Sequence, residues 1–178
     1  MKNKRKTQTE QVLIFMKVIA WIAFFSFVVA AGVLVFSYFS SLRNPESAKN
    51  IHEGLNLFQL RQENFNLYSV LMAAQFIMNL LKAVVWWMVV KLINKLKISN
   101  PFTGIVAYKL AQISYTLFAV WIFAVTAGGF IAWLGDKAGN LNDSWNHGQY
   151  LFMACLVFII YQIFKRGIEI QSENDLTV

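Results

Sequence analysis

The sequence predicts an all-α integral membrane protein, a four-helix bundle with both termini in the cytoplasm. Three observations predict it: four long apolar stretches, a lopsided distribution of cations, and aromatic residues at the ends of the stretches. Of the 178 residues, 57% are hydrophobic and 14% charged, against roughly 45–50% and about 25% in soluble domains. A chain this short cannot hide so much apolar surface in one globule. The same composition excludes a disordered chain, a collagen-like repeat and a disulfide scaffold. The single cysteine, Cys155, lies among apolar neighbours and reads as a small packing residue.

The chain divides as one membrane domain, 1–178, with spans at about 18–40, 67–90, 108–134 and 146–166. About 20 helical residues cross ~30 Å of hydrocarbon, and each span meets that length. None alternates apolar with polar residues, so a β-barrel reading fails. The first span follows a basic N-tail (1–17) like that of a secretory signal. It exceeds the 7–15 apolar residues of a signal core and lacks a small-residue cleavage pattern, so it is expected to stay in the mature protein.

Orientation follows from the cations. Lys2, Lys4, Arg5, Lys6, Lys17, Lys91, Lys95, Lys97, Lys109, Lys165 and Arg166 fall on one side, whereas Arg43, Lys49, Arg61 and Lys137 fall on the other. The positive-inside rule therefore places the N-tail, the loop 91–107 and the C-tail 167–178 in the cytoplasm, with loops 41–66 and 135–145 outside. Tyr38, Tyr68, Trp133 and Trp145 mark the outer interface; Trp21, Trp86, Trp87, Tyr108 and Tyr161 mark the inner one. The net charge of +7 is accounted for by this asymmetry, so no direct contact with nucleic acid is expected.

Within the spans, Gln75, Asn79 and Lys82 recur at intervals of four and three, one stripe of a helix. They form a candidate intramembrane polar site, with Gln112 and Tyr115 as candidate partners on the third span and Ser114, Thr126 and Gln162 behind them. No Asp or Glu occurs inside a span, so Lys82 has no intramembrane counter-ion and a carboxylate proton relay is absent. Snorkelling of Lys82 toward the cytoplasmic headgroups beside Trp86 is the favoured reading, and a ligand or transport site is the other. Ala124, Gly128 and Ala132 form a small-residue seam on the third span. Packing within the chain is favoured for it, with a homodimer or a larger membrane complex as the alternative.

Outside the spans, His52 with Glu53 and Asp143 with His147 lack the count and spacing of a zinc site and read as solvated loop residues. No phosphate loop, nucleophile elbow or kinase signature occurs. No catalytic, cofactor-binding or metal-ligating residue is assigned, and the chain is not expected to be an enzyme. Asn100 is expected to cap the third helix, with Pro101 in its first position. Gly167 suits the termination of the fourth. Beyond it, Ile168 and Ile170 alternate with Glu169 and Gln171, which suits a strand added to a partner or a frayed helix, with a disordered charged tail as the favoured reading of the residues.

Two segments resemble a known family. Asn100-Pro101-Phe102-Thr103, and Ile163 to Gln171 followed by Glu173 to Val178, resemble the signatures of the bacterial DUF2975 family of small membrane proteins, whose function is unknown. The resemblance extends over the four-helix layout. It implies bacterial origin, the cytoplasmic (inner) membrane as location, and, because genes of the family often stand beside one for a small helix-turn-helix regulator, a cytoplasmic DNA-binding partner. Asn100, Pro101, Phe102, Gly167, Glu169, Gln171, Glu173, Asn174 and Asp175 are thus candidate partner-binding residues. The expected function is a non-enzymatic membrane regulator or anchor, with a small transporter or an accessory subunit as the alternative.

Overall fold

Each apolar stretch becomes one long helix in the computed structural model, which describes residues 8–96, 98, 100–138, 141 and 147–175, with Glu53, Asp136 and Asp175 by their backbone alone. Helix α1 is Gln8–Arg43, α2 the short Phe58–Glu63, α3 Phe65–Lys95, α4 Gly104–Leu134 and α5 Gly148–Asp175. Two 3-10 turns, Pro45–Lys49 and His52–Gly54, lie between α1 and α2, and a third, Gly135–Ala138, follows α4. The four long helices are each long and apolar enough to cross a membrane, and no strand occurs among the described residues. Lys2, Lys4, Arg5, Lys6, Lys97, Asp143, Trp145 and Leu176 to Val178 lie outside the described residues, as does the Asp175 side chain.

Helix ends follow local chemistry, and several differ from expectation. Helix α1 begins ten residues before its apolar span and α3 runs five beyond its own, because polar side chains at a helix end do not stop its hydrogen-bond ladder. Thr103, rather than Asn100, caps α4: its Oγ1 accepts from the Val106 amide at 3.4 Å. Asn64 caps α3, its Oδ1 accepting from the amides of Asn66 and Leu67. Gly135, at φ +59°, ends α4 in a conformation that favours glycine. Gly167 does not terminate α5; the helix continues to Asp175, so as far as that residue the helical reading of the tail holds rather than the strand or the disordered one.

Neighbouring long helices run antiparallel: α1 packs on α3, α3 on α4 and α4 on α5. The register is fixed by the Tyr38 hydroxyl on Ser69 Oγ (3.1 Å), Thr116 Oγ1 donating to Met88 Sδ (3.5 Å), and Ser114 Oγ donating to the Ala154 carbonyl (3.1 Å). Helix α4 is central and carries more buried residues than any other helix, whereas α1 presents Phe15, Phe36 and Phe39 outward, more than half exposed. Such exposure is a liability in water and the normal state of a lipid-facing helix.

The segment 44–63 is a folded cap rather than a solvated loop. Ala48, Ile51, Leu55, Leu57 and Leu60 are buried on Leu34, Tyr68, Leu71 and Met72, and Ile131, Leu134 and Ala138 complete the cluster. Tyr68 is fully buried there, so it is a core residue and not the interfacial anchor expected. Its hydroxyl donates to Ser41 Oγ (2.9 Å), which donates to the Tyr38 carbonyl (2.7 Å), while Arg61 Nη2 donates to the Ser41 carbonyl. Lys137 ties the turn after α4 to Glu63 of α2, and that hydrogen bond, with a second from Gln59, holds the Glu63 carboxyl below the usual carboxylate range.

Candidate functional site

The predicted polar stripe lines a groove. Gln75, Asn79 and Lys82 face the apolar wall of α1, formed by Ile22, Phe25, Val29 and Leu34, across a cavity of about 700 Å³. His52, Leu55 and Leu141 close its cap end, so His52 belongs to the groove and not only to a loop surface. A second cavity of about 530 Å³ shares Lys82 and Phe27 with the first and runs on between α3, α4 and α5, past Val85, Val89, Leu117 and Met153. Lys82 thus stands where the two lobes meet.

The stripe is only partly satisfied within the protein. Asn79 Nδ2 donates to the Gln75 carbonyl at 3.0 Å, one turn back on the same helix. Gln75 Nε2 is buried with no hydrogen-bond partner among the described residues. Lys82 Nζ lies 5.5 Å from the centre of the Phe27 ring, a cation–π arrangement. Counting from the Tyr38–Ser69 pair, the α1 residue opposite Lys82 is near Phe25. Trp86 lines the second lobe together with Lys82. Among the described residues, none that lines either lobe is acidic.

Gln112 and Tyr115 do not join the stripe. Gln112 accepts from Lys109 Nζ (3.3 Å) and donates to the Tyr108 hydroxyl (3.1 Å) on its own helix, and Tyr115 packs on Phe158 of α5. The α3–α4 register puts Gln112 nearly three turns closer to the Lys95 end than Lys82. Spacing on one helix cannot reveal that offset. Thr126 is likewise committed to its own helix, to the carbonyls of Ile122 and Phe123.

Two members of the small-residue seam pack inside the chain. Ala124 is buried with Met78 and Val120, and a Cβ on Gly128 would lie 2.2 Å from His147 Cε1, so only glycine admits that ring. Ala132 is exposed and takes no part. His147 Nδ1 is buried without a partner among the described residues.

At the opposite end from the cap, the two sequence motifs meet. The Phe102 ring packs on Phe164 with centroids 5.2 Å apart, and a Cβ on Gly167 would fall 2.7 Å from Phe102 Cδ1. Gly167 is thus the seat of Phe102, a role that its reading as a helix terminator missed. Past this seat α5 continues for eight residues, an exposed projection except at Ile168 and Glu169, which are half-buried. Arg166 Nη1 binds Glu169 Oε2 at 3.0 Å and lies 4.0 Å from Glu173. Gln171, Glu173 and Asn174 are exposed, and Asn100 and Pro101 lie beside Phe102 at the start of α4. Among the described residues no group of His, Cys, Asp and Glu is placed to hold a metal ion.

No curated protein and no solved structure matches the chain. Residues 42–178 match the model of one family, described as a protein of unknown function (DUF2975). The match begins at the last turn of α1 and takes in the cap, the groove floor on α3, the Phe102 seat and the projecting end of α5. The chain belongs to the DUF2975 family.

Proposed function

We propose that the protein is a non-enzymatic membrane regulator or anchor of the bacterial inner membrane. Its motif end faces the cytoplasm and holds a cytoplasmic protein there. The observation that carries the reading is the packing of Phe102 on Phe164 and Gly167, which makes one surface of two segments some sixty residues apart. A residue that is 39% exposed yet seated on a glycine is a rigid platform whose outer face remains available, the arrangement expected of an interface anchor. Next to it, α5 offers Glu169, Gln171 and Glu173 on a projecting helix, suited to a partner with a basic surface. A helix-turn-helix transcription regulator, as the family resemblance implies, has such a surface.

Truncation after Gly167 tests this, because it removes the projecting turns and leaves the Phe102 seat intact. The full chain, tagged at its N-terminus and purified in mild detergent from its own host, should co-purify the partner; the truncated chain should lose it while keeping its thermal unfolding profile. An unchanged set of co-purified proteins would refute the proposal. A second reading, a small transporter or an accessory subunit of a larger membrane complex, is favoured by the groove at Lys82. It predicts a phenotype in Lys82→Leu that the truncation does not reproduce.

A further inference from the structure

We propose that the two-lobed groove at Lys82 binds a long-chain fatty acid, its carboxylate at Lys82 and Gln75 and its chain along the apolar walls. This inference is independent of partner binding at the motif end. The groove follows α3 from Gln75 to Val89, a helical rise of about 21 Å. With the carboxylate at Lys82, the second lobe offers the chain about 11 Å of that rise, so it takes the first part of an acyl chain and the rest lies along the lipid-facing surface. The two lobes, about 700 and 530 Å³, each fall within the size range of small-molecule sites.

The chemistry of the floor selects the head. Lys82 brings a positive charge to membrane depth, the group beside it is the aromatic face of Phe27, and no acid among the described residues lines either lobe. Gln75 Nε2 is a buried donor with no acceptor among the described residues. Asn79 is already committed to the Gln75 carbonyl and adds little. A cation and an unfilled amide N–H seven residues apart on one helix stripe call for an acceptor that carries negative charge. A phosphodiester headgroup meets that demand electrostatically, but it is large and strongly hydrated and belongs at the interface. Lys82 lies fifteen residues, about 23 Å, along α3 from Leu67 and nine residues, about 14 Å, from Lys91 at the other end. A carboxylate is compact, takes a hydrogen bond on each oxygen and reaches this depth as an ion pair. Below Lys82 the lining turns apolar through Val85, Val89, Leu117 and Met153, the environment that a hydrocarbon chain requires.

The test is palmitate binding to the full chain in phosphatidylcholine nanodiscs, followed with isotope-labelled palmitate, with hexadecanol and phosphatidylglycerol as competitors. Palmitate should bind, and hexadecanol should bind at least about tenfold more weakly because it lacks the charge that Lys82 reads. Lys82→Leu should lower palmitate affinity by about tenfold or more while leaving hexadecanol unchanged, Lys82→Arg should retain it, and Val85→Trp should block the chain lobe. Lys95→Leu, a cation outside both lobes, should have no effect. Should Lys82→Leu fail to fold, Lys82→Gln carries the same test. No palmitate binding, equal binding of hexadecanol, insensitivity to Lys82, or displacement by phosphatidylglycerol at equal concentration would each overturn the proposal. None of these measurements involves the motif end, so failure here leaves the anchoring function standing, and the reverse holds as well.

Discussion

Replacing Gly167 with alanine sets two effects of known size against each other. In a helix interior Ala is favoured over Gly by about 1 kcal/mol, so a Gly167 that merely occupied a helical position would yield a more stable protein. Its added Cβ would, however, fall 2.7 Å from Phe102 Cδ1 and 2.8 Å from Cε1, a separation at which the ring must leave. Phe102 is 39% exposed, so unseating it forfeits the burial of roughly three-fifths of a Phe side chain, about 1–2 kcal/mol. Loss of the pairing with Phe164 adds about 0.5–1.5 kcal/mol. The seat outweighs the propensity, and Gly167→Ala should destabilise by about 1–2 kcal/mol. In a Phe102→Ala background the obstruction is gone, and the same substitution should stabilise by about 1 kcal/mol. Reversible denaturation in mixed micelles across the four proteins of this double-mutant cycle measures the coupling, which should be about 2–3 kcal/mol. In a Cys155→Ser background, a cysteine at Asn100 should also label faster once Gly167 is alanine. Stabilisation by Gly167→Ala to the same extent in both backgrounds would refute the reasoning.

Other consequences are as direct. Cysteines introduced at Ser47 and Ser172 should label from opposite sides of intact cells, Ser47→Cys from outside and Ser172→Cys only after permeabilisation; labelling of both from outside would overturn the proposed orientation. Ser41→Ala strands the buried Tyr68 hydroxyl and should cost about 1–3 kcal/mol in thermal or denaturant unfolding, more than Tyr68→Phe, which leaves Ser41 its bond to the Tyr38 carbonyl. Gly128→Val drives a side chain into the His147 ring and should destabilise by about 1–3 kcal/mol. Because Lys137 and Gln59 lower the Glu63 pKa, the pair's contribution is present above the unfolded carboxylate pKa and fades as pH falls through the lower folded one. Glu63→Gln should remove that acid-side loss of cap stability, and because the pair is exposed the effect should shrink in high salt.

The sequence makes the four spans plain because each is a long apolar run, and a membrane helix needs little else to declare itself. Their ends are harder to read. Gln8 to Lys17 and Ile168 to Asp175 are polar enough to resemble tails, yet both are helical, since nothing in them breaks the backbone ladder. Glycine at 167 carries a local signal for termination, and a tertiary neighbour sixty-five residues away, Phe102, overrides it. The stripe of Gln75, Asn79 and Lys82 was legible because helical spacing is a one-dimensional property. The wall opposite it was not: that α1 and the cap residue His52 complete the groove, while Gln112 and Tyr115 do not, depends on register between helices. The cap was hidden for a related reason. Its short turns bury Ile51, Leu55, Leu57 and Leu60 against residues of α1, α3 and α4, and no periodicity within 44–63 announces it.

The way α1 is fastened bears on how the groove would widen. Ser41 is gripped by Tyr68 and Arg61 at one end of the helix, and the cap buries Leu34 a little below. Toward Gln8, α1 has only α3 beside it and its other faces are exposed. Such a helix is a lever with its fulcrum at the cap. Over its 36 residues, about 54 Å, a tilt of about 5° displaces the Gln8 end by about 5 Å while Ser41 scarcely moves. Midway along, at Phe27, the same tilt opens the wall facing Lys82 by roughly half that distance. Whatever enters the groove or pushes on the N-terminal arm of α1 therefore acts on one mechanical element, and each would register the other as a change of angle.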